Sequence, residues 1–173
     1  MKKILIDLQC LQTESAHRGI GRYSHNLVMH MLKQGNGEFN FHVLLNSVLP
    51  GVSSVKHKFR EFIKEQHFHI FTPLTPCYII DPDNWNNMEV SEFMYEAFVA
   101  KLNPDLLFLP SLVEGGLHDN LVASVSKYFS IKTVVVGYDL IPLHFEEQYL
   151  SNHLVRKHYF TKLQHKSNAD LIL

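Results

Sequence analysis

The stretch SAHRGIGRYSHN places two glycines and two arginines at the predicted start of a helix. Glycine lets the backbone approach a ligand closely, and the first amide N–H groups of a helix are unpaired and partially positive. Gly19 and Gly21 are therefore predicted to bring the backbone close to an anion such as a ligand phosphate, with Arg18 and Arg22 as donors of bidentate hydrogen bonds. The alternative is a glycine turn that lets the helix pack closely on a sheet. Replacement of Gly21 by valine is expected to abolish function with modest loss of folding.

The loop LPSLVEGGLHDN, residues 109–120, carries a second set of polar side chains. Glu114, His118 and Asp119 offer an acid, a base and short groups that hydrogen-bond hydroxyls, which suits the binding of a sugar. The loop follows a predicted strand, and its glycines and proline shape it at the strand's end. The alternative is a solvated loop in which Asp119 or Asn120 caps the next helix.

A third set lies in VVVGYDLIPLHFEEQYL, residues 134–150. Asp139 comes just after a predicted strand, where it could bind a substrate hydroxyl or orient a donor, and Tyr138 could stack or hydrogen-bond. The Ile-Pro step bends the chain across the end of the strand. The alternative is that Asp139 only caps a turn.

Composition excludes several classes of protein. Hydrophobic residues make up 46% and charged residues 19%, which predicts a folded globule. Lys and Arg number 16 against 17 Asp and Glu, so no positive field favours nucleic acid. The histidines show no metal-ligand spacing, no HExxH or P-loop motif is present, and no apolar run reaches the roughly 18 residues of a membrane span. Neither a metal nor a cofactor is predicted, and two isolated cysteines favour a reducing cytoplasm.

Short apolar runs predict strands buried on both faces of a parallel sheet. They cover Lys3–Asp7, Phe39–Asn46, Phe68–Phe71, Asp105–Pro110, Lys132–Asp139 and Asp170–Leu173. Helical apolar stripes lie between them. The first stripe comprises Ile20, Tyr23, Leu27, Val28, Met31 and Leu32 and ends at Gly35, and the second comprises Val55, Phe59, Phe62 and Ile63. The third comprises Val90, Phe93, Met94, Ala97 and Phe98 and is closed by Asn103-Pro104, and the fourth comprises Leu121, Val122, Val125 and Phe129. A last helix is predicted over Glu147–Lys166. The pattern predicts an α/β fold, a doubly wound Rossmann-like parallel sheet of about six strands with helices on both faces.

Three features together resemble the amino-terminal domain of a family 4 glycosyltransferase of the GT-B type, nearest to bacterial polysaccharide mannosyl- or rhamnosyltransferases. They are the Asp-ended first strand followed by RGIGRYSHNLV, the PSLVEGGLHDN loop, and YDLIPL with EEQYL before a helix and the ADLIL strand. The resemblance covers essentially the whole chain. It departs from many members at Tyr138, where they have histidine.

The resemblance implies roles for the matching residues. Gly19, Gly21 and Arg22 would lie near the donor diphosphate. Tyr138 and Asp139 would face the transferred sugar as the catalytic pair, and the loop with Glu114, His118 and Asp119 would bind the acceptor. The implied reaction is retaining transfer of a mannose- or rhamnose-like sugar from a nucleotide diphosphate donor to a growing surface polysaccharide such as lipopolysaccharide O-antigen.

The resemblance also implies how residues 1–173 fit into an enzyme. They would form one acceptor-side domain, and the carboxyl-terminal domain that holds the nucleotide sugar is expected to be absent from this chain, leaving it inactive alone. Its partners would be the nucleotide-sugar donor and a glycan or lipid-linked glycan acceptor. The expected location is the cytoplasm, with peripheral association at the inner face of the membrane left open.

Two other functions stay open from the residues alone. A nucleotide-dependent oxidoreductase or epimerase would use the glycines as a dinucleotide loop, but GIGRYS has Ser24 at the sixth position of that fingerprint, and the second strand ends in Asn46 rather than an acidic residue. A non-catalytic α/β interaction module would use the same loops only as a protein-binding surface.

Overall fold

The computed structural model describes residues 1–113, 115–138 and 140–173, so Glu114 and Asp139 lie outside the described residues. The strands are β1 (Lys2–Asp7), β2 (Phe39–Asn46), β3 (Phe68–Phe71), β4 (Leu106–Leu109), β5 (Thr133–Val135) and β6 (Leu171–Ile172). The α-helices are α1 (Gly19–Gln34), α2 (Val52–Phe59), α3 (Trp85–Leu102), α4 (Ile141–His144), α5 (Glu146–Tyr149) and α6 (His153–Ser167). Every strand falls within one residue of its predicted segment or inside it.

The strands form one six-stranded parallel sheet in the order β3-β2-β1-β4-β5-β6. In register, Ile4 of β1 lies between Phe41 of β2 and Leu106 of β4. The chain therefore runs outward from β1 in one direction and from β4 in the other. This confirms the doubly wound Rossmann-like sheet, and it places the ligand crevice of such folds at the carboxyl ends of β1 and β4.

Hydrophobic cores cover both faces of the sheet. On one face, Ile6 packs in a cluster with Val28 of α1 and Phe59 of α2. On the other, Leu5 packs in a cluster with Tyr95 of α3 and Leu121 of the connection between β4 and β5. Successive residues of β1 thus enter opposite cores, which explains why the strand sequences are continuously apolar rather than alternating.

The buried face of α3 differs from the predicted apolar stripe. Val90 is 45% exposed, Phe93 48% and Met94 38%. The face turned to the sheet carries Tyr95 instead, together with two acidic residues, Glu92 and Glu96, which are 5% and 0% exposed. The prediction of the helix was right, but its predicted buried face was right only at Ala97 and Phe98, which are partly buried, with Phe98 packed against the core. The acidic side chains find buried partners that periodicity alone does not reveal.

The predicted helix over Leu121–Phe129 is absent. The backbone there is irregular, and the carboxylate of Glu96 accepts the amide N–H groups of Lys127, Tyr128 and Phe129 at 2.9, 2.7 and 2.9 Å. The hydroxyl of Ser124 donates to the same carboxylate. Side chains from outside the segment therefore satisfy backbone groups that a helix would have paired internally.

The predicted last helix divides into α5 and α6. The side chain of Asn152 caps the start of α6 by accepting the amide N–H of Leu154 at 2.9 Å. An N-cap residue has non-helical backbone angles, so a continuous helix cannot pass through it. None of the helices in the described ranges combines the length and apolarity needed to cross a membrane.

Candidate functional site

The three polar segments predicted from the sequence meet at the carboxyl edge of the sheet. Two adjoining cavities of about 350 and 420 Å³ lie there, and both are lined by Arg18, Val113 and Tyr159. We call the two cavities together the cleft. The first cavity is also lined by Ser111, Leu112, Val136, Tyr138, Ile141, Pro142, Tyr149 and Lys166. The second is also lined by Thr13, Glu14, Ser15, Gly115, Leu117, His118, Asp119, Val155 and His158.

The amino terminus of α1 borders the first cavity. Arg18 precedes the helix in extended conformation and gives no side-chain hydrogen bond to its first turn. The Cα of Gly19 comes so close to the third segment that an added Cβ would lie 3.3 Å from the hydroxyl oxygen of Tyr138. The positive end of α1 and the Arg18 side chain therefore lie beside Tyr138, as an anion site requires.

The other two predicted phosphate ligands occupy different positions. Gly21 is buried, and Arg22 is exposed and does not line either cavity. A Cβ on Gly21 would lie 2.2 Å from the carbonyl oxygen of Ser15 and 2.5 Å from the Cα of Ala16. Gly21 thus permits close packing of α1 on the preceding turn, a variant of the alternative in which the glycines serve packing.

Alanine at Gly21 is expected to lower the free energy of unfolding by about 1–3 kcal/mol, because its Cβ must displace backbone atoms. Gly19→Ala is the matched control, since its Cβ would meet only the end of a flexible side chain. Urea unfolding of both variants at pH 7 measures the difference. Equal stability of the two variants would contradict the packing role of Gly21. Because valine carries the same Cβ, we now expect Gly21→Val to destabilise the fold more than the modest loss expected from the sequence.

The loop before Leu121 is shaped by two glycines and an aspartate. Gly115 and Gly116 have φ of 88° and 79°, which only glycine adopts without strain. Asp119 accepts the amide N–H of Gly116 at 2.7 Å and that of Leu121 at 3.0 Å through Oδ1. Asp119 therefore closes this loop rather than capping a helix, and it lines the second cavity together with the exposed His118.

Two buried amide side chains anchor this loop to the sheet. Gln9, just after β1, accepts the N–H of Val122 at 3.2 Å and donates to its carbonyl oxygen at 2.7 Å. Asn46, the last residue of β2, donates to the side-chain oxygen of Gln9 and to the carbonyl oxygen of Asn120, both at 2.9 Å. The position of the loop is thus fixed by the ends of the two strands beside it. In the sequence, the only sign of this role is that Asn46 and Gln9 lie at or just after the ends of predicted strands.

Asp7, the last residue of β1, belongs to the same hydrogen-bond network as Gln9. Its carboxylate accepts the Tyr95 hydroxyl at 2.7 Å and both the backbone and side-chain N–H of Gln9 at 2.9 Å. Burial raises the pKa of Asp7 to about 6, although the hydrogen bonds from Gln9 and Tyr95 act in the opposite direction. Asp7 does not line the cleft. It holds Gln9, and through Gln9 the loop, in place.

The helices after β5 supply groups that sequence reasoning missed. Tyr149 of α5 and Tyr159 and Lys166 of α6 line the first cavity with Arg18. Two cationic side chains with tyrosines can bind an anion and the hydroxyls of a sugar. The apolar and polar residues of α6 do not separate into two clear faces, so the face that lines the cleft could not be predicted from its sequence.

His158 lies at the wall of the second cavity. Burial, together with the nearby charge of Lys162, lowers its pKa to about 4. The ring is therefore neutral at pH 7, and because a carbonyl oxygen only accepts, Nε2 carries the proton that it donates to the Gly115 carbonyl at 3.2 Å. Among the described residues, no three His, Cys, Asp or Glu side chains group so as to hold a metal ion.

Comparison with known proteins identifies relatives. No family model matches the chain, and no solved structure matches it significantly. A serotype-specific mannosyltransferase WbdA of Escherichia coli is 30% identical over 171 residues, which are 98% of this chain and 20% of the relative. Two further Escherichia coli proteins of that name are each 28% identical over 138 residues, 79% of this chain and 17% of theirs.

The chain therefore spans no more than 20% of the length of these curated relatives. Within that part, the alignment extends over nearly all of the sheet and the cleft. The resemblance drawn from the three motifs is confirmed. This chain is homologous over almost its whole length to a segment of a bacterial glycosyltransferase, and its placement in family 4 with the GT-B type is consistent with that homology.

Proposed function

We propose that this chain is the acceptor-side domain of a retaining glycosyltransferase that transfers a mannose- or rhamnose-like sugar from a nucleotide diphosphate donor to a growing bacterial surface polysaccharide. One observation carries the proposal. In a chain homologous to part of a mannosyltransferase, the three motif segments line one cleft at the switch point of a doubly wound sheet.

The donor diphosphate would lie against the start of α1. Transfer breaks the bond between the anomeric carbon of the sugar and a diphosphate oxygen, so negative charge grows on the leaving group. A bond from the anomeric carbon to an acceptor hydroxyl oxygen forms, and the hydroxyl proton passes to the departing diphosphate. Arg18 and Lys166, which line the first cavity, and the first amides of α1 would stabilise that charge. Gly19, Gly21 and Arg22 remain proposed contributors: Gly21 would act by letting α1 pack where it does, and Arg22, which is exposed outside the cleft, would contribute only a weak charge at longer range.

The sugar and the acceptor would occupy the rest of the cleft. We assign Tyr138, with Asp139, to the transferred sugar, because Tyr138 lines the cavity that also holds Arg18. The loop with Glu114, His118 and Asp119 would bind acceptor hydroxyls in the second cavity. A second domain would hold the nucleotide, so the chain by itself is expected to be inactive. We further propose that the growing polysaccharide is lipopolysaccharide O-antigen. The protein would act in the cytoplasm, with peripheral contact at the inner face of the membrane.

A transfer assay tests the function. The protein that carries this domain is incubated with radiolabelled nucleotide-diphosphate mannose or rhamnose and with mannose-containing oligosaccharide acceptors. We expect label to enter the oligosaccharide with the anomeric configuration of the donor, as read by NMR of the product. Transfer with inverted configuration would contradict retention, and absence of transfer from every donor would contradict the function.

A further inference from the structure

A groove outside the cleft runs between the first turns of α3 and the middle of α6. Its volume is about 330 Å³, within the range of small-molecule sites. His158 lines both this groove and the second cavity of the cleft, so the two spaces are neighbours. They are separated by no more than this side chain, a distance that a ligand longer than one sugar unit can span.

An aromatic ring forms part of the groove wall. Trp85 is half-buried, and its indole N–H donates to the carbonyl oxygen of Ile79 at 2.9 Å, which fixes the ring. The ammonium of Lys157 lies 3.5 Å from the ring centroid. Lys157 is exposed on a flexible side chain, so a ligand that packs on the indole can displace it. A fixed, partly exposed indole is a suitable surface for the C–H groups of a pyranose ring.

Four of the five charged side chains that line the groove are paired with one another, and the fifth is Lys157, which lies over Trp85. Lys162 lies 3.1 Å from Glu92, and Lys127 lies 3.0 Å from Glu92 and 4.0 Å from Glu89. With these four charges paired and Lys157 exposed to solvent, the groove offers only a weak field to select a phosphate or another ion. Asn86 of α3 and Thr161 of α6 add an amide and a hydroxyl to the lining of the groove, and these groups hydrogen-bond neutral hydroxyls.

We propose that this groove is a binding site for a neutral carbohydrate, occupied by the part of the acceptor glycan that lies beyond the sugar in the cleft. The assignment as an acceptor site rests on the proposed function. The binding of carbohydrate itself does not, because it follows from the fixed indole, the paired charges and the two uncharged polar side chains.

The groove contains its own reporter, because Trp85 is the chain's only tryptophan. The chain is titrated with mannobiose, mannotriose and mannotetraose while tryptophan fluorescence is recorded. We expect a saturable change in emission that strengthens with oligosaccharide length. Asn86→Ala and Thr161→Val, which keep the reporter, are each expected to weaken binding about threefold to tenfold, the usual worth of one hydrogen bond. Asn26→Ala, an exposed asparagine on α1, should bind as the unchanged chain does.

Each outcome decides between the possibilities. The oligosaccharides are tested at concentrations up to about 10 mM, which is high enough to detect weak binding. No fluorescence change with any of them would overturn the proposal. Equal binding by Asn86→Ala, Thr161→Val and Asn26→Ala would place the sugar elsewhere and overturn it too. If transfer occurs in the assay above while the groove fails to bind, the proposed function stands and only this site is wrong.

Discussion

Replacing Lys162 with alanine is expected to lower the free energy of unfolding by about 3 kcal/mol or more. The Lys162 side chain is 3% exposed, and its ammonium donates to Glu92 at 3.1 Å and to the carbonyl oxygen of Ala123 at 2.7 Å. Its loss leaves a buried carboxylate with less compensation and a buried carbonyl without that donor. Urea unfolding at pH 7 measures the change.

Two further variants separate the ion pair from general effects on α6. Lys157→Ala removes an exposed lysine from the same helix and should cost less than about 1 kcal/mol. The double change Glu92→Leu with Lys162→Met should recover most of the lost stability, since paired apolar side chains often replace a buried ion pair at little cost. A loss in Lys162→Ala no larger than that in Lys157→Ala would contradict the role of the pair.

The pH dependence of this pair has a definite sign. Burial would raise the pKa of Glu92, but Lys162, His165 and Lys127 outweigh burial and hold that pKa below its usual value. The stability that the ionised Glu92 contributes is therefore present above its unfolded-state pKa and is lost as the pH falls through the folded-state pKa. In Lys162→Ala the pKa of Glu92 should rise, so that this loss begins at a higher pH.

The same acidic residues explain why sequence patterning failed on α3. Periodicity assumes that apolar side chains face the core, and it therefore favoured Val90, Phe93 and Met94 over Glu92 and Glu96. The structure reverses this choice because Glu92 meets Lys162 on α6 and Glu96 meets backbone amides of residues 127–129. Both partners lie far along the chain, beyond any local window.

The sheet was predictable for the opposite reason. Each strand carries its own signal, a short apolar run bounded by turn residues, and a strand buried on both faces needs no knowledge of its partners to be recognised. The connection from β4 to β5 lacked such a signal. Its apolar residues do pack in the core. However, the carboxylate of Glu96 accepts backbone N–H groups that would have been paired within the helix that their spacing predicted.

The cleft was predictable only in part. Polar residues after strand ends must meet at one edge of a parallel sheet, so the convergence of the glycine, His118 and Tyr138 segments followed from their positions. The contributions of Tyr159 and Lys166 did not, because they depend on the rotation of α6 about its axis. Likewise, the choice between Arg18 and Arg22 depends on where the first turn of α1 begins.

If the proposed function is right, replacing Arg18 with alanine is expected to lower kcat/KM for sugar transfer about 100-fold. Arg18 lines both cavities beside the start of α1, where charge on the departing diphosphate would develop. Arg22→Ala is the matched control, an exposed arginine one turn along the same helix that does not line the cleft. Its effect should stay within about threefold, the range of an exposed charge.

The division of the effect between kcat and KM identifies what Arg18 does. A contact that strengthens as the diphosphate leaves lowers kcat, whereas one that binds donor and transition state equally raises KM alone. We expect the loss mainly in kcat, with urea unfolding of both variants unchanged within about 0.5 kcal/mol, because neither side chain is buried. A larger loss in Arg22→Ala than in Arg18→Ala would move the diphosphate out of the cleft and along the exposed face of α1, and the assignment of the first cavity to the donor would then be wrong.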